Sequence, residues 1–223
     1  LRRISTLAVA ISAVLAMTAI LASASASAST VLCKSSERPC PAGQVEPAGS
    51  WFTVGVAPND GTFSLKSLNL YHQTLHCDYA VLAAQTTAES GTPLSAEGHG
   101  LVNKDYCALD ATPAGQCSSV TVNTPPTTLE ALTGKTGEML MGTSTQPFTI
   151  SYSCFYKLIG YVQECAWSAP LGLPIKIDSE GFASIEGVKL NLVKSNGHLC
   201  GSQAALTMEP PARVASGTSI STQ

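Results

Sequence analysis

Eight cysteines and four histidines are the residues of this chain best able to do chemistry. The cysteines are Cys33, Cys40, Cys77, Cys107, Cys117, Cys154, Cys165 and Cys200, an even number with none in the first 32 residues. Structural zinc sites use close pairs, about two to four residues apart. Here the tightest pair, Cys33 and Cys40, has six residues between its members. The pattern therefore argues for disulfides and against a metal. Successive gaps are 6, 36, 29, 9, 36, 10 and 34 residues. The short gaps predict local staples, Cys33–Cys40, Cys107–Cys117 and Cys154–Cys165, which leaves Cys77–Cys200 as a long-range bridge. Eight cysteines allow roughly 105 pairings, so this scheme rests on spacing alone.

The histidines are His72, His76, His99 and His198. On a strand, His72 and His76 share a face but stand about 13 Å apart, too far to share a metal. His76 and Cys77 are adjacent, so on a strand they point to opposite faces and make a poor nucleophile–base pair. Gly134-Lys135-Thr136 matches the end of a phosphate-binding loop, but Leu129 stands where the first glycine belongs. Lys135-Thr136-Gly137 matches a β-lactamase box without its S-x-x-K partner. Asp178 and Glu180 are carboxylates of the kind a glycoside hydrolase pairs across a bond, and solvated surface is their default reading. No catalytic residue, metal or cofactor is assigned on this basis.

The segment from Cys154 to Cys165 is the sharpest local object. Symmetric antiparallel pairing from the two cysteines inward ends on a two-residue turn, Ile159-Gly160, with Gly160 supplying a positive φ. Such a stapled hairpin would present Phe155, Tyr156 and Tyr161, with Trp167 beyond it, as an aromatic binding surface. The competing reading packs these rings into the core, since aromatics favour strands.

The elements that would carry these residues are strands. Phe52, Val54 and Val56 alternate. So do Phe63 and Leu65, Val120 and Val122, Phe148 through Cys154, Ile175 and Ile177, and Leu190 and Leu192. Each run is short and bounded by turn formers. Leu68 and Leu70 fall one position out of phase with Phe63 and Leu65, which suggests a bulge or bend. Helix signals are thin: Thr127–Leu132 has room for a turn or two between Pro125-Pro126 and Gly134, and Tyr79–Gln85 lacks a 3.6-residue period. Thr86–Gly100, rich in small polar residues, reads as a surface loop. The expected fold is all-β, a single disulfide-stapled domain of β-sandwich or barrel-like form, with at most one short helix.

The first residues have the order of a secretory signal: Arg2-Arg3, an apolar run over Leu7–Ala22, and the A-x-A site Ala26-Ser27-Ala28. The run is shorter than the roughly 18 residues of a spanning helix. Residues 1–28 are thus expected to be removed, 29–212 to form a secreted domain, and 213–223 to form a flexible tail. Of twelve basic residues two lie in the signal, so the remainder carries ten against fifteen acids, or −5. With no basic cluster, nucleic acid is not an expected partner.

Thr30-Val31-Leu32-Cys33-Lys34 behind the signal, then Cys40, and Gly197-His198-Leu199-Cys200 before a last strand at Ala204–Met208, resemble a set of uncharacterised secreted proteins of actinobacteria. The resemblance implies export and a cysteine-stapled β domain, and no site residue. The expected role is a secreted or wall-associated, non-enzymatic domain that binds or scaffolds a cell-surface or extracellular protein or glycan. A secreted hydrolase with a site built from distant residues, and a protease inhibitor offering a disulfide-closed loop, are the alternatives.

Overall fold

A computed structural model describes residues 28–58, 61–68, 73–110, 116–123, 125–132, 136–156, 160–196, 200–209, 212–214 and 218–223, with Tyr156 and Arg213 described for their backbone only. The strands in chain order begin with β1 (Thr30–Cys33), β2 (Trp51–Val56), β3 (Phe63–Ser67), β4 (Thr74–Cys77), β5 (Ala80–Thr86) and β6 (Ser90–Gly91). They continue with β7 (Leu94–Val102), β8 (Cys107–Leu109), β9 (Cys117–Val122), β10 (Pro126–Ala131), β11 (Gly137–Met141) and β12 (Phe148–Tyr156). The last are β13 (Tyr161–Ala169), β14 (Leu173–Ile177), β15 (Ala183–Ser195), β16 (Gln203–Met208), β17 (Arg213–Val214) and β18 (Ser219–Thr222). The one helical element among the described residues is a 3-10 turn, Lys104–Tyr106.

All pairings are antiparallel. A small sheet runs β18–β1–β6. The large sheet runs β17–β2–β5–β7–β10–β11–β14–β15–β16–β3–β4–β8, with a branch from β15 through β13 and β12 to β9. Strand β15 is the hinge of this arrangement. Its 13 residues pair with β14 at Ala183 and Ser184, with β16 from Ile185 to Asn191, and with β13 from Asn191 to Ser195. The register slips between Ile185 and Val188, where Gly187 has φ 58°. An extra residue with a left-handed backbone bends a strand and increases its twist. The sheet therefore curls into a half-barrel, and inward residues of both halves, such as Phe52, Leu82, Leu129 and Ile175 on one and Phe63, Leu75, Trp167 and Leu206 on the other, form one buried cluster.

Several expectations change. Of residues 127–132, 127–131 lie in β10 rather than a helix and Leu132 falls just beyond it, because Thr127 and Leu129 alternate inward with period two. Tyr79–Gln85 falls largely in β5. The stretch expected as a loop over 86–100 contains β6 and most of β7. Its inward positions are Leu94, Ala96, Gly98, Gly100 and Val102. At Gly100 a Cβ would stand 2.6 Å from Val122, so the small residues let β9 cross close beneath β7. Leu68, expected to continue a strand, lies beyond the end of β3 and is exposed, and Leu70 is outside the described residues. The expected flexible tail contributes β17, paired to β2, and β18, paired to β1 along all four of its residues.

The disulfides are Cys33–Cys40, as expected, then Cys77–Cys107, Cys117–Cys154 and Cys165–Cys200. Consecutive cysteines are joined and no loops interlace. The pairs Cys107–Cys117, Cys154–Cys165 and Cys77–Cys200 do not form. Register is the reason. In the β12–β13 hairpin Tyr152 faces Cys165 and Cys154 faces Gln163, with Tyr156 opposite Tyr161. The connection is thus longer than the two-residue turn expected, and Lys157, Leu158 and Ile159 lie outside the described residues. Cys154 instead meets Cys117 across β9–β12, and Cys77 meets Cys107 across β4–β8.

Candidate binding surfaces

Alternation along β12 and β13 separates the four hairpin aromatics. Phe155 points outward and is 40% exposed. Trp167 points inward, is 1% exposed, and donates from Nε1 to the carbonyl of Gly201 at 3.1 Å. Its ring lies 5.5 Å from that of Tyr152. Tyr161 shares the inward parity of Trp167 but sits beyond the core, with its hydroxyl donating to the Asn196 carbonyl at 2.6 Å. The Tyr156 side chain is outside the described residues. Trp167 is therefore a core residue and not a contact residue, while Phe155 and Tyr161, 37% exposed, stay at the surface with Val162, the cross-strand neighbour of Phe155.

Behind this sheet lies a buried polar knot. Gln163 Nε2 donates to Gln73 Oε1 at 2.7 Å and to the Tyr152 hydroxyl at 2.8 Å. Burial pushes the Tyr152 phenol well above the ordinary tyrosine value. In front lies a shallow groove of about 290 Å³ lined by Ser119, Ser151, Ser153, Glu164, Ala166 and Lys194. Ser151 and Thr121 share a hydrogen bond of 2.7 Å across β9–β12. A polar outer face is the ordinary consequence of period-two alternation, so this groove does not by itself indicate a ligand.

The outer face of β2, β5 and β7 is less ordinary. The phase that buries Phe52, Val54 and Val56 puts Trp51 outside, 47% exposed. Trp51 stands in register with Gln85, Gln85 with Glu97, and Glu97 with Pro126, giving one row across four strands. His99 packs its ring 4.8 Å from Trp51 at 58°. Its Nε2 is buried and has no hydrogen-bond partner among the described residues. Gln85 Nε2 is held by the carbonyl of Gly49 at 3.2 Å, which fixes the amide beside the indole. Leu101, 60% exposed, lies on the same face. This row joins a fixed aromatic plane to an amide and a carboxylate. Sequence reasoning missed Trp51, although the alternation of Phe52, Val54 and Val56 already placed it outside.

The candidate reactive groups do not assemble. Asp178 Oδ1 accepts from the backbone N–H of Glu180 and of Phe182, so this carboxylate shapes its own turn. His76 Nε2 lies 3.5 Å from Asp110, with both side chains about half exposed. Ser64 stands opposite His76 across β3–β4, but no hydrogen bond joins them, and a base must reach the hydroxyl it activates. Among the described residues no three His, Cys, Asp or Glu side chains gather to hold a metal. His72, His198, Gly134 and Lys135 lie outside the described residues.

No family model, curated protein or solved structure matches this chain.

Proposed function

We propose that this chain is a secreted or cell-wall-associated binding domain whose ligand is an extracellular glycan, held on the row Trp51–Gln85–Glu97. The observation that carries this reading is the half-exposed Trp51 at the start of β2, on the outer face of the sheet beside Gln85 and the His99 ring. Burying a large aromatic is worth a few kcal/mol, and folding leaves much of that gain unused here. The apolar face of a sugar ring fits an indole plane, whose π face is electron-rich. Sugar hydroxyls can donate to the Gln85 and Glu97 oxygens beside it. A non-enzymatic role agrees with the fixed, open geometry of this face. Export agrees with the signal-like first residues and with four disulfides, which persist in oxidising compartments.

The test is retention of the purified oxidised chain on insoluble chitin, cellulose and bacterial wall sacculi. Retention on at least one of these, lost in Trp51→Ala and kept in Phe155→Ala, is the expected result. Retention on none, or retention indifferent to Trp51→Ala, rejects the reading.

A further inference from the structure

Trp51 is one end of a longer feature on the outer face of β2, β5 and β7. Beyond its row, Thr53, Ala83 and His99 stand in register, and after them Gly55, Val81 and Leu101. These two rows carry no Asp, Glu, Lys or Arg on the three strands. Their floor is low, since Gly55 and Ala83 are small, and Ala83 is buried although it faces outward. At the far end stands a second aromatic group. Tyr79 immediately precedes β5 and continues its ladder, with the Asn103 N–H donating to its carbonyl at 3.2 Å. Strand alternation therefore puts Tyr79 on the same side as Val81 and Ala83. Tyr106, from the 3-10 turn, sets its ring 6.1 Å from that of Tyr79 at 39° and is 44% exposed. The Asp78 N–H donates to the Tyr106 carbonyl at 3.0 Å, which holds the turn in place under this ring. From Gln85, which faces Trp51, to Tyr79 is six residues, roughly 20 Å at the rise of a strand.

From these two platforms we infer that the ligand is a linear polysaccharide lying along β5 and β7, with one sugar on Trp51 and another, several units away, on the Tyr79–Tyr106 pair. This inference rests on the glycan reading of the Trp51 row and names the form of the glycan. A single terminal sugar would cover Trp51 and leave the charge-free strip and the tyrosines in water. A chain of sugar rings covers both platforms, while its hydroxyl edges stay solvated over the low floor between them. The exposed Leu101 gives the intervening rings an apolar wall. Joining two weak contacts through one ligand raises affinity without any further contact, because the second contact forms at a high effective concentration. A second copy of this chain suits the face less well. The cores of interfaces between proteins are depleted of charge, and here Glu97 lies in the row of Trp51.

The test measures binding of the full oxidised chain to β-1,4-linked oligomers of N-acetylglucosamine and of glucose, each as disaccharide and hexasaccharide, by titration calorimetry. In the series that binds, the hexasaccharide is expected to bind about tenfold tighter than the disaccharide, or more. Tyr106→Ala should narrow that ratio about two- to tenfold, the worth of one aromatic contact, and Trp51→Ala should weaken both oligomers. A hexasaccharide no tighter than the disaccharide, or a ratio indifferent to Tyr106→Ala, overturns the extended site while the glycan reading of Trp51 stands. Binding of neither series also overturns the extended site, and absence of retention on the insoluble polymers removes the glycan reading with it. Sedimentation velocity adds a further arm: a dimer that Tyr106→Ala dissociates would assign this face to a second copy of the chain and overturn the proposal.

Discussion

Cys154 stands directly opposite Cys117 across the β9–β12 ladder, and their sulfurs are joined. Facing residues of an antiparallel pair hold their Cβ atoms about 4.5–5.5 Å apart, so the link adds no new backbone path. It closes a loop of 37 residues, which the chain-entropy account values at about 4 kcal/mol. Peptide mapping without reduction should recover Cys117 with Cys154 and Cys165 with Cys200. A fragment joining Cys154 to Cys165 would show the hairpin register to be wrong. Replacing Cys117 and Cys154 together by Ala should cost on the order of 2–4 kcal/mol in urea unfolding.

The hairpin shows how far the sequence could be read. Alternation over Phe148–Cys154 identified the strand and its buried face correctly, because period two is a local property. Register is not local. It depends on which partner residues bury together, and here Tyr152, Gln163, Cys165 and Trp167 share the inward face. Short cysteine gaps therefore misled, since a facing strand can bring residues 30 or 37 apart closer than a hairpin brings its own ends. Strand β7 escaped notice because its inward residues include alanine and two glycines, which give little apolar signal. For the candidate site, Trp51 was legible from the phase of β2. Its row with Gln85 and Glu97 was not, since it spans three strands.

Tyr152 links the polar knot to pH. An unfolded tyrosine ionises near pH 10. In the folded chain burial holds the phenol protonated above that. Below pH 10 both states keep the proton and the contribution is complete. As pH rises past about 10, the unfolded chain releases the proton first and folded stability falls. The urea midpoint of the native chain should thus drop more between pH 9 and pH 11 than that of Tyr152→Phe. Equal drops would mean that the phenol is not buried as described.

The two tryptophans should report separately. Trp167 is 1% exposed and Trp51 is 47% exposed. Acrylamide should quench one emitting population readily and the other weakly, and Trp51→Phe should remove the readily quenched one while leaving a blue-shifted emission. Stability should change by under about 0.5 kcal/mol, as for most surface substitutions. If Trp51→Phe instead leaves quenching unchanged, the indole is covered in solution and the proposed glycan row is not available.

The last strand is held from both sides, and its hold depends on one disulfide. On one edge β18 pairs with β1 from Ser219 opposite Cys33 to Thr222 opposite Thr30. On the other, the loop closed by Cys33–Cys40 reaches over it. The Cys40 N–H donates to the Thr222 carbonyl at 2.8 Å, and Ser219 Oγ donates to the Ser35 carbonyl at 2.6 Å. Ile220, 2% exposed, joins the main core and packs on Gly137. Two levels of stability follow. Ile220→Ala should cost about 2–5 kcal/mol, as for other buried large-to-small changes. Replacing Cys33 and Cys40 by Ser should act locally: amide exchange at 219–222 should quicken while β12 and β13 keep their protection, because those strands retain their own disulfides. Uniform loss of protection would show instead that the small sheet and the large sheet unfold as one unit.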